Sequence, residues 1–304
     1  MTRPLRTALL ALPPALLCAL VRLLPGFAAR WSAWIARPML RRIASIGVKL
    51  PFSLLEWGAL ALILVLCIGF ILRLCRRGMM HAIVHLLRRT GILLMVLIHL
   101  TVALWYPLYF AEAPLRITVT PAQLAASCRA LIDELAAAPL DFTVLPEDLP
   151  AKQAAFPIWM DALNLAGFAS FLSGEAMISP ELHGAAVPFV ALHEHMHTLG
   201  HADEGAANLA AWDECLRRGG VYADSARLWA LKDSLALLRR MDCDAWSACR
   251  AELPPQLARL IIQLGGETAP PKGGALALLR LLGLAEYMQS YENLALYLAA
   301  QMFA

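Results

Sequence analysis

The residues with the clearest chemical potential are His193, Glu194 and His197, which form the pattern HExxH. On a helix, side chains four positions apart project from the same face, so both imidazoles can bind one metal ion. Imidazole nitrogens are common zinc ligands, and a catalytic zinc site uses three protein ligands with one position open. A glutamate directly after the first histidine is placed to act as general base rather than as a ligand. The pattern therefore predicts a zinc-dependent hydrolase with Glu194 as its base.

The pattern is short and also arises by chance, so the residues that follow it carry weight. Gly200 lets the chain turn sharply and bring a third ligand back to the metal. We favour Glu204 as that ligand, because Asn208 lies one turn later on the same face and can hydrogen-bond a ligand. Asp203 is the alternative, as in the metzincin arrangement, although it can instead cap the helix that follows. His201 is a further candidate because it is close to the motif.

The composition divides the chain into a membrane-like part and a soluble part. Of the 304 residues, 60% are hydrophobic and 16% are charged, whereas soluble proteins have about half and about a quarter. The apolar excess lies before residue 111. The net charge is only +3 and there is no long basic run, so we expect no nucleic-acid partner.

None of the seven cysteines forms a CxxC pair, but Cys243 and Cys249 could form a disulfide in an oxidising compartment.

Three apolar segments are candidates for membrane spans, which need roughly 20 residues. They cover about residues 7–24, 54–74 and 90–110. The first is interrupted by Pro13, Pro14 and Arg22; a cleaved signal peptide is its alternative interpretation, and we prefer a retained anchor. The sequence therefore predicts a membrane anchor over residues 1–111 and a second domain over residues 112–304.

Basic residues set the predicted orientation of these spans. They precede the first span and lie between the second and third: Arg3, Arg6, Arg73, Arg76, Arg77, Arg88 and Arg89. Placing them inside puts the chain after Phe110 outside the cytoplasm. Residues 25–52 then also lie outside, and they can rest on the membrane surface as an amphipathic segment anchored by Trp31, Trp34 and Ile35. We expect a multi-pass protein of the bacterial inner (cytoplasmic) membrane with an extracytoplasmic catalytic domain.

The second domain is predicted to be mostly helical. Thr120 and Pro121 are a typical helix start, and the motif helix should begin at Pro188 and end at Gly200. Further helices are predicted over 204–217, 228–240, 255–264, 276–282 and 286–302. Residues 168–178 have strand character, either as an edge strand that pairs with a substrate peptide or as a structural hairpin. The predicted fold is mainly α, with three transmembrane helices followed by a zincin-like α+β domain.

Two acidic residues outside the motif, and one histidine inside it, are expected to have ordinary structural roles. Glu56 begins the second predicted span, where it is expected near the membrane interface and needs no special explanation. Glu175 lies in the strand-like segment and is expected to be a surface charge, with substrate binding as the alternative. His195, between the two predicted ligands, cannot share their helical face and is expected to be an ordinary neighbour.

Several further segments resemble one bacterial membrane family. They are PFSLLEWG, LWYPLYFAEAPL, FASFLSGEAMIS, VPFVALHEHMHTLGHADEGAANLAAW and SYENLALYL. In this order they resemble the Domain of Unknown Function 3810 family over most of the chain, and the HExxHxxG…ExxAN block is the most specific part. The resemblance implies a multi-span region before a zinc-peptidase-like domain. Its pattern falls on the predicted site residues, but the chain departs from it at Ala206, where the family often has a second acidic residue.

The residues and the resemblance together predict a membrane-anchored zinc metallopeptidase that hydrolyses peptide bonds with zinc-activated water. The expected cofactor is Zn²⁺, and the expected partners are the lipid bilayer and a peptide or protein substrate, membrane-associated ones included. Two alternatives stay open. The chain could be a catalytically inactive sensor or scaffold that keeps the zinc ligands. It could also be a zinc hydrolase of a non-protein envelope amide, since that reaction uses the same water activation.

Overall fold

The computed structural model describes residues 3–111, 117–163, 165–265 and 293–302. Most of these residues are helical, which confirms the mainly α prediction. The first part contains α1 (Arg3–Leu23), α2 (Phe27–Trp31), a π-helical turn (Ser32–Ala36), α3 (Arg37–Gly47), α4 (Leu54–Arg77) and α5 (Met79–Leu100). Helix α5 is followed without a break by a π-helical turn (Thr101–Trp105) and then a 3₁₀ turn (Tyr106–Phe110).

The second part combines helices with one small sheet. In chain order it contains α6 (Pro121–Ala137), β1 (Ala151–Gln153), α7 (Ile158–Leu163), β2 (Gly167–Ser170), β3 (Glu175–Ile178), α8 (Val187–Thr198), α9 (Glu204–Arg218), α10 (Gly220–Met241), α11 (Cys243–Ala251), α12 (Pro255–Gln263) and α13 (Asn293–Gln301). The predicted helix over 276–282 lies outside the described residues, as does the start of the one predicted over 286–302.

Two helices in the described part of the chain are long and apolar enough to cross a membrane. They are Leu54–Arg77, with 24 residues, and the continuous Met79–Phe110, with 32 residues. They pack side by side and are joined at Gly78, whose φ of +82° a glycine adopts readily. Within α1, the apolar helical segment Leu12–Leu23 is shorter than these two helices. The first predicted span therefore stays a prediction.

The second of these helices begins earlier than the sequence analysis predicted. We expected a basic loop before a span starting near residue 90, but α5 begins at Met79. Arg88 and Arg89 are therefore helical residues, and the turn is Gly78 alone. The reason is that no glycine or proline separates Met79 from residue 90, and arginine itself favours helix.

The sheet lies beside the motif helix α8 and has the strand order β1-β3-β2. Strand β3 is fully buried between the other two, parallel to β1 and antiparallel to β2. The strand-like segment 168–178 is thus a hairpin, and its turn ends at Gly174, where φ is +67°. Any side chain at Gly174 would overlap the backbone of Ala44 in α3. This close approach fixes α3 against the hairpin.

The main core of the second domain lies between α6, α8, α9, α10 and α13. Helix α6 starts with a complete capping box, in which Thr120 and Gln123 each bond the other's backbone N–H. On α8, Phe189 and Leu192 are almost completely buried against this core. The motif helix is therefore held on several sides, which fixes the positions of the side chains that it carries.

Glu175 is not a surface charge as predicted: its side chain is completely buried. The backbone N–H groups of Leu54 and Leu55, at the start of α4, donate to its two carboxylate oxygens at 2.8 and 2.9 Å. Lys152 of β1 donates to the same carboxylate at 2.6 Å. A carboxylate at a helix N-terminus is favoured by the unpaired N–H groups and the helix dipole. The sheet therefore caps the first of the two long apolar helices.

Glu56, in the first turn of α4, makes the reciprocal connection, so the expectation that it needs no special explanation is wrong. It is only 6% exposed and accepts hydrogen bonds from the backbone N–H groups of Ala155 and Phe156 at 2.8 and 3.0 Å. The indole of Trp159 donates to it as well, at 3.0 Å. We call Glu56, Glu175 and Lys152 the membrane clamp, because they join α4 to the sheet.

The disulfide that the spacing of Cys243 and Cys249 left open is not formed. Both thiols are free, Cys243 exposed and Cys249 buried. They lie six positions apart on the single helix α11, so they project from different sides of it and cannot meet.

Candidate metal site

Helices α8 and α9 bring three side chains of the sequence prediction together, which we call the metal cluster: His193, His197 and Glu204. The Nε2 atoms of the two histidines are 3.1 Å apart. Glu204 Oε2 lies 3.1 Å from His193 Nε2 and 3.4 Å from His197 Nε2. For zinc bound tetrahedrally at about 2.0–2.1 Å, neighbouring ligand atoms are roughly 3.3 Å apart. The donor set and its spacing therefore fit a zinc ion.

The turn between α8 and α9 explains how Glu204 returns to the histidines. Helix α8 ends at Thr198, and Gly200 follows with φ +100°, a conformation that favours glycine. A side chain at Gly200 would also approach Arg37 of α3 to 2.9 Å. The return of Glu204 to the two histidines thus depends on a glycine that the sequence analysis singled out.

Asp203 has a different part in this turn. It is the N-cap of α9, and its Oδ1 accepts the backbone N–H of Ala206 at 2.9 Å. Among the described residues, the one group of side chains that could hold a metal comprises the metal cluster and includes neither Asp203 nor His201. Asn208 is buried on α9, one turn after Glu204, and its hydrogen bond to a ligand stays a prediction.

His201 contributes through its backbone. The Nδ1–H group of His197 donates to the carbonyl oxygen of His201 at 2.5 Å. In the neutral imidazole this bond leaves Nε2 as the lone-pair nitrogen, and it turns Nε2 toward Glu204. The Nδ1 atom of His193, the other predicted histidine ligand, is buried and has no hydrogen-bond partner among the described residues. Buried polar atoms are usually hydrogen-bonded, so this ring lacks the support that His201 gives to His197.

Asp233 on α10 is a residue that the sequence analysis missed. It is close enough to His193 for their charges to interact, and burial raises the pKa of its carboxyl group. Its Oδ1 lies 3.3 Å from Lys232 Nζ, which in turn lies over the ring of Trp229. The ring of Phe189 stacks on Trp229 and lies next to His193. A lone aspartate in a helical segment gives no sequence signal of this proximity.

The carboxyl group of Glu194 is buried beside the metal cluster. Burial raises its pKa and Glu204 raises it further, while the two histidines oppose the shift. Gly167, the first residue of β2, lies against this side chain: a Cβ atom there would be 2.5 Å from Glu194 Cγ and 2.6 Å from Oε1. The edge strand thus passes directly over the predicted base, and only glycine leaves room for it.

The charges within the metal cluster are strongly coupled. Burial acts to lower the pKa of His197, but the carboxylate of Glu204 outweighs it and raises that pKa to about 9. Burial acts to raise the pKa of Glu204, and the two histidines instead hold it well below its usual value. In the absence of a cation, a proton on an imidazole therefore compensates the buried carboxylate. A divalent cation at the same point would replace that proton.

The end of the second long apolar helix forms one side of the site. The ring of Trp105 lies 6.2 Å from that of His197 and stacks on Phe171 at 5.7 Å, centroid to centroid. The indole N–H of Trp105 donates to the hydroxyl of Tyr109 at 3.3 Å. Both aromatic residues lie near the end of the third predicted span, over about residues 90–110. The structure adds that they border the metal cluster. Long-range contacts of this kind have no local sequence signal.

His195 lies outside the metal cluster. Its Nδ1 atom is 3.3 Å from the hydroxyl of Thr198. Burial lowers its pKa, and the guanidinium group of Arg218 lowers it further. A neutral imidazole packed between α8 and α9 agrees with the ordinary role expected for this residue.

Comparison with known families supports the resemblance seen in the sequence. A family model described as a protein of unknown function (DUF3810) matches residues 32–265. The chain belongs to the DUF3810 family. The match to DUF3810 runs from the π-helical turn before α3 through α12, so it includes both long apolar helices, the membrane clamp and the metal cluster. Searches of curated proteins and of solved structures find no significant match.

Proposed function

We propose that this DUF3810 protein is a membrane-anchored zinc metallopeptidase with a zincin-like domain. The observation that carries the proposal is the convergence of His193 Nε2, His197 Nε2 and Glu204 Oε2 within 3.1–3.4 Å of one another. These three atoms would hold the ion. When bound, zinc supplies a Lewis acid that polarises a carbonyl group and makes water a better nucleophile.

Glu194 is the proton carrier of the proposed reaction. Water adds to the carbonyl carbon of the scissile peptide bond and gives its proton to the Glu194 carboxylate. The C–N bond then breaks as Glu194 passes that proton to the leaving nitrogen, which departs as an amine. The burial that raises the pKa of Glu194 makes its carboxylate a better proton acceptor. Gly167 has no side chain and so leaves room for this carboxyl group beside β2.

The edge of the sheet supports a peptide as substrate. Within the described residues, β2 pairs only with β3, and its first residue touches Glu194. An extended peptide that adds to a free sheet edge gains backbone hydrogen bonds without depending on its side chains. A peptide bound along β2 would run past Glu194, so we favour the substrate-binding role for this strand over a purely structural one.

The membrane helices support an extracytoplasmic site close to the bilayer. Arg73, Arg76 and Arg77 lie at the end of α4 that joins α5, and basic residues are retained on the cytoplasmic side. The metal cluster lies by the opposite end of the hairpin, where Trp105 follows α5. We therefore propose a multi-pass protein of the bacterial inner membrane that acts on membrane-associated peptides or proteins.

The test compares the full-length wild type with Glu194→Gln in cells and in reconstituted bilayers. We expect the variant to bind zinc, measured by metal analysis, but to lose hydrolysis by about 10²–10⁴-fold. A proteomic comparison of cell envelopes should show the substrate accumulating uncleaved in the variant. Glu134→Gln is the matched control, because Glu134 is exposed in an ion pair with Arg227 on α10.

The outcomes separate the proposal from its alternatives. Unchanged turnover in Glu194→Gln would reject Glu194 as the base. Zinc binding with identical envelopes in wild type and variant would identify an inactive sensor or scaffold. Accumulation of a non-protein amide, with the proteome unchanged, would identify an envelope hydrolase that acts on a different substrate class.

A further inference from the structure

A second surface, away from the metal cluster, exposes apolar and basic side chains together. We call it the α3 face. Its apolar members are Trp34, Ile35, Met39, Ile46 and Val48, and its basic members are Arg30, Arg41, Arg42 and Lys49. Trp34 is 82% exposed and Ile46 is 63% exposed. Large apolar side chains clustered at a surface mark a contact with a partner or a membrane.

The opposite side of α3 is fixed to the second domain. Leu40, Ala44 and Gly47 are buried there. A Cβ atom at Gly47 would lie 2.4 Å from the carbonyl oxygen of Ser173, so the helix and the β2–β3 hairpin are in direct backbone contact. The α3 face is thus presented on a rigid support.

The two tryptophans of this region differ in their surroundings. The indole of Trp31 donates to the carbonyl oxygen of Ala103 at 2.8 Å and its ring stacks on Phe27. Trp31 therefore joins the segment to the end of α5 and is not the membrane anchor that the sequence predicted. Trp34, three positions later, points away from these contacts.

Charge and chain connectivity identify the partner of the α3 face. Residues 25–53 contain no aspartate or glutamate, so the face has unbalanced positive charge and favours an anionic surface. Only six residues separate Gly47 from Leu54, where α4 begins. Extended, they span roughly 20 Å. Lys152 further holds this link by donating to the carbonyl oxygens of Gly47 and Phe52, both at 2.8 Å. The face must lie near the point where α4 enters the bilayer.

We propose that the α3 face lies in the headgroup layer and binds anionic phospholipid. Its arginines contact lipid phosphates, while Trp34, Met39 and Ile46 are buried at the boundary of the acyl chains. The inference uses the membrane attachment of the proposed function but not zinc binding or hydrolysis. Through the hairpin that α3 contacts, the lipid surface would set the position of the site relative to the membrane.

The test measures quenching of tryptophan fluorescence by brominated lipids in vesicles that contain the full-length protein. The signal of Trp34 is the difference between wild type and Trp34→Phe. Vesicles contain phosphatidylglycerol and phosphatidylcholine in fixed proportion, with bromine on one or the other. We expect quenching of Trp34, and stronger quenching when phosphatidylglycerol is brominated. In Arg41→Gln/Arg42→Gln the apparent affinity for phosphatidylglycerol should fall on the order of 25-fold, about fivefold per charge.

Three controls fix the interpretation. The difference signal of Trp57, in the first turn of α4, should be quenched whichever lipid is brominated. That of Trp246, on α11, should not be quenched. Arg240→Gln/Arg259→Gln removes two exposed arginines of α10 and α12 and should leave the lipid preference intact. An unquenched Trp34 signal, or equal quenching by the two lipids in the wild type, would overturn the proposal whether or not the protein hydrolyses peptides.

Discussion

The membrane clamp and the metal cluster are both groups of buried charged side chains, yet their hydrogen bonding differs. In the clamp, each carboxylate accepts hydrogen bonds from N–H groups that need a partner: Glu175 from the start of α4 and from Lys152, and Glu56 from the backbone before α7. Burying a charge is costly unless it is paired in this way. The clamp is complete as it stands.

In the metal cluster, three atoms that offer lone pairs face one another. The Nε2 atoms of His193 and His197 and Oε2 of Glu204 converge on one point, and without a cation it is a proton on an imidazole that compensates the carboxylate. The comparison shows how a structural charge cluster differs from a ligand set. The first has fixed N–H donors for its acceptors, whereas the second balances its carboxylate with a titratable proton that a divalent cation can replace. Each cluster therefore predicts a different response to mutation.

The largest expected effect is the loss of zinc in Glu204→Ala. Removing a carboxylate ligand leaves two imidazoles, which hold zinc far less tightly than three protein ligands. Loss of a residue that only supports a ligand lowers metal affinity roughly 10–100-fold. We expect a larger fall in zinc affinity when the ligand itself is removed. Competition with a chromophoric chelator measures it. Wild-type affinity in this variant would exclude Glu204 as the third ligand.

The next largest effect concerns the clamp. Glu175→Ala leaves the ammonium group of Lys152 partly buried without its carboxylate and removes the acceptor of two backbone N–H groups at the start of α4. Breaking a buried ion pair in this way costs about 3–5 kcal/mol, which thermal unfolding in detergent would detect as a clear fall in Tm. Zinc affinity of the folded variant should be unchanged.

The matched control for Glu175→Ala is Glu134→Ala. Glu134 pairs with Arg227 in an exposed ion pair, and such a pair contributes about 0–1 kcal/mol. Equal effects of the two substitutions on Tm would contradict the structural role that we assign to the clamp.

Acid should weaken the clamp through the same residue. Burial acts to raise the pKa of Glu175, but Lys152 and the other donors outweigh it and lower that pKa. A carboxyl whose pKa is lower in the folded state stabilises the fold above its unfolded pKa of about 4.3. That contribution is lost as the pH falls below this value through the folded pKa. Stability measured between pH 7 and pH 3 should therefore decline more steeply in the wild type than in Glu175→Gln.

A smaller effect on zinc is expected in Asp233→Asn. Asp233 is close enough to His193 for their charges to interact, which suits its carboxyl group to increase the basicity of that imidazole. Losing such a carboxylate typically lowers metal affinity 10–100-fold. Asp224→Asn, another aspartate of α10, is the control because its charge interacts with Arg227 and not with a ligand. Unaltered affinity in Asp233→Asn would limit Asp233 to a packing role.

Local spacing was sufficient to predict the core of the candidate site. His193 and His197 share a helical face because they are four positions apart, and Gly200 supplies the turn that returns Glu204 to them. The starts of α6 and α8 followed from Pro121 and Pro188 in the same way. These features depend on a few consecutive residues, so the sequence contains all the information they need.

Features that depend on distant contacts could not be predicted from the sequence. Glu56 and Glu175 are buried because each meets backbone N–H groups about a hundred residues away along the chain. Gly167 lies over Glu194, and Trp105 beside His197, only because the sheet and α5 pack against α8. A polar residue far from its partner in sequence gives no signal that it will be buried, so an ordinary surface role was the natural expectation.

The smallest expected effect is that of Asp203→Ala, and it completes the comparison with Glu204→Ala. Asp203 accepts the backbone N–H of Ala206 as the cap of α9, and loss of an N-cap costs about 1 kcal/mol. Because Glu204 is the first residue of that helix, fraying there would loosen the ligand without removing it. We expect a slightly lower Tm with zinc still bound. Loss of zinc in Asp203→Ala but not in Asp203→Asn, which keeps a capping oxygen, would show that α9 positions the ligand through its cap. Loss of zinc in both variants, with Glu204→Ala unaffected, would instead make Asp203 the third ligand.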